Sequence, residues 1–250
     1  MIYLLFHDVY VGDPQDSGFR STAADRYKLT VSQFDRHLAG LAALGGRGSR
    51  FALTFDDGGV SFYTHIADRL ESHGWRGYCF VPTDYIGQPG FLTRTQIQEL
   101  DRRGHLIGSH SASHPYRIHA CARGVLLDEW ARSIGILSHL LGRPVAAASV
   151  PGGFYSLGVA TAAAAAGVTQ LFTSEPVLRT HRVGACEVIG RFTIRHSSPT
   201  NLSAQLAAGA AWPRLAMWAQ WNAKTTIKPV LGPYYARVAD WLLAGNAAKQ

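Results

Sequence analysis

The sequence predicts an α/β fold, a distorted (β/α) barrel of about seven strands with a C-terminal helical extension. Three observations point there: short apolar runs alternate with longer segments of helical period up to about residue 210, seven of those runs qualify as strands, and polar motifs follow directly on several of them. An open doubly wound sheet shares this periodicity. Either arrangement places functional residues in loops at the carboxyl ends of the strands.

The opening Ile2-Tyr3-Leu4-Leu5-Phe6 reads as a first buried strand, and further strands are expected at 51–55, 77–81, 105–108, 146–150, 169–173 and 186–194. Between them, Phe34, Leu38, Leu41 and Ala42 recur at helix spacing, with Thr30 or Ser32 as cap and Gly45-Gly46 as stop. Val125, Leu126, Trp130, Ile134, Leu137 and Leu141 mark a second helix, closed near Gly142 and Pro144. Ala160 to Ala166, followed by Gly167, marks a third.

A chain of 250 residues with 47 % hydrophobic content can bury one large core, so residues 1–210 are read as one domain and 211–250 as a helical extension packed on it. The net charge of +7 and pI near 9.5 favour anionic partners. The basic residues occur singly rather than in runs, however, and no nucleic-acid surface is expected. Cys79, Cys121 and Cys186 are far apart and form no C-x-x-C pair, which argues against disulfides or a thiolate zinc site and fits a reducing compartment. The start has no basic leader or small-residue cleavage site, and no stretch approaches the ~20 apolar residues of a membrane span. The expected location is cytoplasmic, with peripheral membrane contact as the alternative.

Two motifs carry chemistry. Thr54-Phe55-Asp56-Asp57-Gly58-Gly59 follows the apolar run Phe51-Ala52-Leu53; adjacent carboxylates at a strand end point in different directions, one toward a cation and one toward a substrate water. Taken alone, the same residues could be an Asp-Gly turn capping a helix. Ser109-His110-Ser111-Ala112-Ser113-His114-Pro115 follows His105-Leu106-Ile107-Gly108, and histidines at i and i+4 share one face of a helical turn, their imidazoles free to converge on one ion. Alone, this could be a pair of surface histidines in a chain that has 11. One carboxylate and two imidazoles together make a three-ligand metal centre with a place left for water, a catalytic rather than a structural arrangement.

With these motifs the sequence resembles the polysaccharide deacetylase family, the NodB homology domain or carbohydrate esterase family 4, over at least residues 2 to 196. The resemblance implies a metal-dependent hydrolase that removes an acetyl group from an amino sugar in a polysaccharide, oligosaccharide or lipid-linked saccharide. By it Asp56 is the general base, Asp57, His110 and His114 hold the metal, and the metal is zinc, with cobalt, nickel or manganese as alternatives. The family's third motif, R-x-P-x-G, falls on Ser149-Val150-Pro151-Gly152-Gly153, so Pro151 and Gly153 match while Ser149 replaces the arginine. That loop is expected to supply a backbone N–H to the oxyanion at Gly152. Arg191 is the candidate to replace the missing guanidinium, and Phe154 or Tyr155 to restore an aromatic wall.

Ile194-Arg195-His196 resembles the family's late [LI]-x-H pattern and makes His196 the candidate general acid, with Glu175 as candidate partner. His7 and Asp8, directly after the first strand, resemble the Y-H-x-[VI] opening of many members and are read as supporting residues at the pocket rim; the alternative is that they only shape the first loop. Phe62, Tyr63, Tyr85, Tyr116 and Tyr155 are candidates to stack on a pyranose.

Residues 212 to 243 carry Trp212, Trp218, Trp221, Tyr234, Tyr235 and Trp241 with Arg214, Lys224, Lys228 and Arg237. Such a segment could lie in a membrane interface, or its aromatics could cover one end of the barrel. Two further functions stay open: a carbohydrate-binding protein with a degenerate site, suggested by Ser149 and by the missing aspartate partner of the acid histidine, and an amidase acting on a small non-sugar amide.

Overall fold

The first strand, β1 (Ile2–Phe6), is covered on both faces: Leu4 and Phe6 are buried on one side and Leu5 on the other. A strand buried twice over belongs in a parallel sheet flanked by helices. The computed structural model shows this arrangement and describes residues 1–45 and 51–231. After β1 come β2 (Val9–Tyr10), α1 (Thr22–Asp25), β3 (Leu29–Thr30), α2 (Val31–Ala42), β4 (Phe51–Phe55), α3 (Ala67–Ser72), β5 (Gly77–Val81), α4 (Arg94–Arg102) and β6 (Leu106–Ser109). Then follow α5 (Arg123–Leu141), β7 (Ala147–Ser149), α6 (Leu157–Ala165), β8 (Gln170–Phe172), β9 (His181–Val183), β10 (Cys186–Ile189), β11 (Phe192–Thr193), α7 (Leu202–Ala207) and α8 (Ala211–Leu231).

One curled sheet of nine strands runs β11-β1-β4-β5-β6-β7-β8-β10-β9, with every neighbouring pair parallel except β9 and β10. It forms a half-barrel of the (β/α) type expected. The run 186–194, expected as one strand, is two: β10 joins β8 at one end of the strand order and β11 joins β1 at the other. The break has a steric cause at Gly190, where a β-carbon would stand 2.6 Å from the carbonyl oxygens of Glu175 and Val177. Those crossing carbonyls occupy the space that a continuous strand would need, and Arg191 donates its N–H to the Glu175 carbonyl at 2.9 Å.

Helix positions follow from local chemistry. Thr30 and Gln33 form a reciprocal capping box on α2, as Thr93 and Gln96 do on α4. Gly142 ends α5 in the left-handed conformation at φ 65°. Of the expected stop of α2, Gly45 has φ 67°, while Gly46 lies outside the described residues. The main core packs α2, α3 and α4 against the outer faces of β1, β4 and β5, and a second core packs α5 and α6 against β7, β8 and β10. Phe62, expected as a sugar platform, belongs to the first core at 2 % exposure. On the inner face, Phe80, Phe172 and Ile189 cluster with Tyr3 and Tyr78 beneath the carboxyl ends of the strands.

Over residues 211–223, whose side chains are described, helix α8 packs by one side. Met217 lies against the main core and the Trp221 indole against Gly153, 3.3 Å from where a β-carbon would stand, whereas Trp212, Leu215 and Trp218 face solvent. Tyr234, Tyr235, Arg237 and Trp241 lie outside the described residues, as do the side chains of Lys224 and Lys228. Among the described residues, no helix is long and apolar enough to cross a membrane.

Candidate metal centre and active site

The end of β4 sets the first half of the site. The Asp56 N–H continues the ladder by donating to Phe6 O at 3.1 Å, and the backbone then turns at Asp57 with φ 74° and Gly58 with φ 61°. At Gly58 a side chain is doubly excluded, since a β-carbon there would also meet Val81 Cα at 3.1 Å. Asp57 has no such freedom. Its left-handed backbone is a strained conformation of the sort found where a side chain must point in one direction.

The second half does not form the helical turn expected from its spacing. Residues 110–115 make an irregular loop in which Ser111 and His114 also take positive φ, 62° and 54°. Two causes act against a helix. Pro115 disfavours the α conformation at His114, and the buried Glu129 carboxylate on α5 accepts the N–H groups of Ala112 and Ser113, both at 2.9 Å, with the Ser113 hydroxyl at 2.6 Å. The Ser111 hydroxyl also accepts the His114 N–H at 3.1 Å.

The loop nevertheless brings the histidines together on the carboxylate. Asp57 Oδ1 lies 3.4 Å from His110 Nε2 and 3.7 Å from His114 Nε2, and one ligand atom from each of the three residues falls within 4.8 Å of the others. His110 Nδ1 lies 3.0 Å from the Ser149 carbonyl, which fixes that nitrogen as the protonated one and turns Nε2 inward. One carboxylate oxygen and two imidazole nitrogens fit a first-row divalent ion.

Asp56 does a different job beside them. Arg191 holds it with two hydrogen bonds, Nη1 to Oδ1 at 2.7 Å and Nη2 to Oδ2 at 2.8 Å, and the Ser149 hydroxyl donates to Oδ2 at 2.9 Å. Arg191 is fully buried, stacked over Phe80 and Phe172, and it also donates to the Thr173 carbonyl and to the hydroxyls of Thr54 and Ser149. The residue that replaces the expected arginine thus shares a carboxylate with an arginine on the neighbouring wall.

Electrostatics separate the roles. Burial would raise Asp56, but the Arg191 guanidinium and His110 outweigh it and hold the carboxyl below its ordinary range. Burial likewise opposes ionisation of Asp57, and His110, His7 and His114 reverse the sign, leaving it well below a normal carboxyl. Burial pushes His114 down to about 4, helped by His110. His110 is driven the other way: burial lowers it, but Asp56 and Asp57 prevail and raise it.

His7 and Asp8 part company. His7 is coupled to Asp57, Asp56, Arg191 and His110, and its buried Nδ1 has no hydrogen-bond partner among the described residues. Burial lowers its pKa against the pull of both aspartates. Asp8 points into the protein, where Oδ1 accepts the hydroxyls of Ser17 at 2.6 Å and Ser61 at 2.7 Å, and burial raises it to about 6. Its work is to pin the first loop.

The structure does not bring His196 into this group. Its Nδ1 lies 3.3 Å from the Lys28 carbonyl, its ring is exposed, and it lines a separate cleft with Tyr10, Arg26 and Tyr27. No hydrogen bond or ion pair among the described residues joins it to Glu175, whose carbonyl instead accepts the Arg191 N–H. Pro151, Gly152 and Gly153 form a tight turn with Gly152 at φ 59°, and Phe154 stacks on His119 rather than on the site. Tyr155 bonds His181 through its hydroxyl, Tyr63 bonds Glu99, and Tyr116 is exposed.

Two residues that sequence reasoning missed complete the site. Glu129 organises the histidine loop. Phe19 packs on His114 with ring centroids 4.5 Å apart and joins Tyr85 and Phe91 in an aromatic wall. Glu129 looks like any acidic residue on a helix, and Phe19 sits in an irregular segment without periodicity.

The profile described as polysaccharide deacetylase matches residues 45–171, more than half of the chain. A chitin deacetylase from Pestalotiopsis sp. is 38 % identical over 64 residues, covering 26 % of this chain and about a fifth (21 %) of that protein. Among solved structures, the Streptococcus pyogenes deacetylase PplD in complex with acetate superposes with a TM-score of 0.69 at 21 % identity, over 81 % of this chain and 96 % of that one. IcaB from Ammonifex degensii does so at 0.62 and 22 %, over 88 % and 96 %. Those two likenesses bear on the fold; the profile match, which spans both halves of the site, shows that this chain belongs to the polysaccharide deacetylase family.

Proposed function

We propose that the protein is a metal-dependent hydrolase that removes the N-acetyl group from an amino sugar within a larger saccharide. The observation that carries this is the convergence of His110 and His114 on Asp57 Oδ1, with Asp56 held alongside by Arg191. In this reading the catalytic unit is residues 1–210 and segment 211–250 is its extension. Asp57, His110 and His114 would hold zinc, or cobalt, nickel or manganese, which supplies a Lewis acid that makes water acidic and polarises a carbonyl.

The chain's own residues do the rest. Asp56, its oxygens fixed by Arg191 and Ser149, takes a proton from the water that attacks the amide carbonyl. A base kept anionic by a buried guanidinium is ready at neutral pH, and the bidentate grip sets its direction. The turn Pro151–Gly153 presents the Gly152 backbone N–H to the oxygen that gains charge. We assign the proton delivered to the leaving amine to His7 rather than His196, because His7 feels the charges of both Asp56 and Asp57 while His196 Nδ1 lies 3.3 Å from the Lys28 carbonyl. The proton that Asp56 takes from the water passes to His7 and from there to the amine, and because burial lowers the His7 pKa the ring gives it up readily.

The degenerate-site reading rested on Ser149 and on the missing aspartate partner of the acid histidine; against the first, Arg191 supplies a guanidinium to the same carboxylate. Acetate release from N-acetylglucosamine oligomers, with zinc added to the purified protein, tests the proposal. Release that is lost in Asp56→Asn and His7→Gln but kept in His196→Gln is the expected pattern. Bound metal without amide hydrolysis on any acetylated saccharide would overturn it.

A further inference from the structure

An open cleft of about 490 Å³ is lined by Tyr10, Asp25, Arg26, Tyr27, Arg195 and His196. It is tied to the active site through one ring, since Tyr27 packs against His7 with centroids 4.8 Å apart and forms part of the cleft wall. One wall of the cleft thus rests on a residue beside the metal centre.

Its charge is unbalanced. Asp25 is already committed within the fold, with Lys28 Nζ 3.2 Å from Oδ1 and Gln15 donating to Oδ2 at 2.7 Å. Lys28 is itself buried and donates to the carbonyls of Pro14 and Phe19, so this pair holds the cleft wall and leaves no free carboxylate in it. Arg26 and Arg195 have no carboxylate partner among the described residues. Arg195 is pre-oriented: its guanidinium lies over the Tyr27 ring at 5.3 Å, its backbone N–H bonds Ser198, and its Nε is buried without a hydrogen-bond partner. A stacked, fixed guanidinium with an unmet donor beside a second, exposed one is the arrangement that recognises an oxyanion. The two tyrosines give a sugar ring apolar surface on which to rest.

We propose that this cleft is a subsite for an oxyanion, a carboxylate or a phosphate, borne by the saccharide unit next to the one deacetylated. The inference rests on the saccharide deacetylase reading above and adds to it a preference for acidic or phosphorylated glycans. It also gives a use to Ile194-Arg195-His196, which the metal centre leaves out.

The test compares three substrates: a neutral N-acetylglucosamine trimer, the same trimer with a carboxylate at C6 of a flanking unit, and the same trimer with a phosphate there. Each is assayed with the wild type, Arg26→Gln and Arg26→Gln/Arg195→Gln. For the wild type, the kcat/KM ratio of at least one anionic trimer to the neutral one should be about tenfold or more, carried by KM and reduced by salt. The ratio should fall in Arg26→Gln, whose exposed side chain can be changed without disturbing the core, and approach one in the double variant. Which anionic trimer gains tells carboxylate from phosphate. A ratio near one in the wild type, or one unchanged in both variants, would overturn the subsite. Should no trimer be hydrolysed, the deacetylase reading fails on its own, and calorimetric binding of the anionic trimers decides the subsite: weaker binding to Arg26→Gln supports it, and equal or absent binding rejects it.

Discussion

Arg191 grips Asp56 through both nitrogens of its fork, at 2.7 and 2.8 Å, from between the last two strands of the sheet onto the end of the strand next to β1. Both groups are buried, and the guanidinium keeps the Asp56 carboxyl below its ordinary range. Replacing Arg191 with glutamine leaves a carboxylate buried without its cation, and the expected cost is about 3–5 kcal/mol of stability. Arg191→Lys keeps the charge but not the fork, and its expected loss is on the order of 10²-fold in kcat with metal content unchanged. Urea unfolding, metal analysis and steady-state kinetics on the two variants check this; a lysine variant with wild-type kcat would remove Arg191 as the positioning residue.

Much of this site was legible in the sequence, and what was missed has a common cause. The motifs Thr54 to Gly59 and Ser109 to Pro115 follow strand candidates, and strand ends can be read from local pattern. Arg191 could be suggested because one late strand held a lone arginine near the right place. The conformation of the histidine loop could not be read, because it is set by Glu129, which is 17 and 16 residues from the two backbone N–H groups it accepts. The preference for His7 over His196 was hidden for the same reason. Both follow apolar strands, and how close each comes to the charge of the aspartates depends on the curl of the sheet. The split at Gly190 likewise depends on carbonyls from another segment.

Glu129 receives three hydrogen bonds from the loop that carries both histidines. Glu129→Ala should therefore weaken metal binding by about ten- to a hundredfold, although Glu129 is not among the proposed ligands. Competition with a chelator of known affinity measures this directly. Unchanged affinity would mean that the loop holds its shape through Ser111 alone.

Metal binding should release a proton. The aspartates hold His110 above its ordinary pKa, so below that raised value its inward nitrogen carries a proton that the ion must displace. Affinity is then expected to fall as the pH is lowered through this pKa, and to level off above it. Calorimetric zinc titrations at one pH in buffers of different ionisation enthalpy count the protons released. A heat independent of buffer at pH 6.5 would contradict the protonated His110.

Asp8 gives a stability signature separate from catalysis. Its pKa rises from 3.8 to about 6 in the fold, so the folded state binds more protons than the unfolded chain between those values. Stability from this group is fully present below about pH 4 and is lost as the pH rises through 6. Asp8→Asn removes the titration, so the wild type should lose stability relative to the variant across that window. Denaturant unfolding at pH 4.5 and pH 7 reads the difference, and parallel curves for the two proteins would show that Asp8 ionises freely in the fold.

The proposed hydrolysis depends on one ion held by Asp57, His110 and His114. Metal content and acetate release, measured together on the wild type, on the chelated protein after zinc is restored, and on His110→Ala, test it most directly. The expected result is one ion per chain with hydrolysis in the wild type, recovery of both on adding zinc back, and neither in His110→Ala. A chelated, metal-free protein that still released acetate at the full rate would contradict the account.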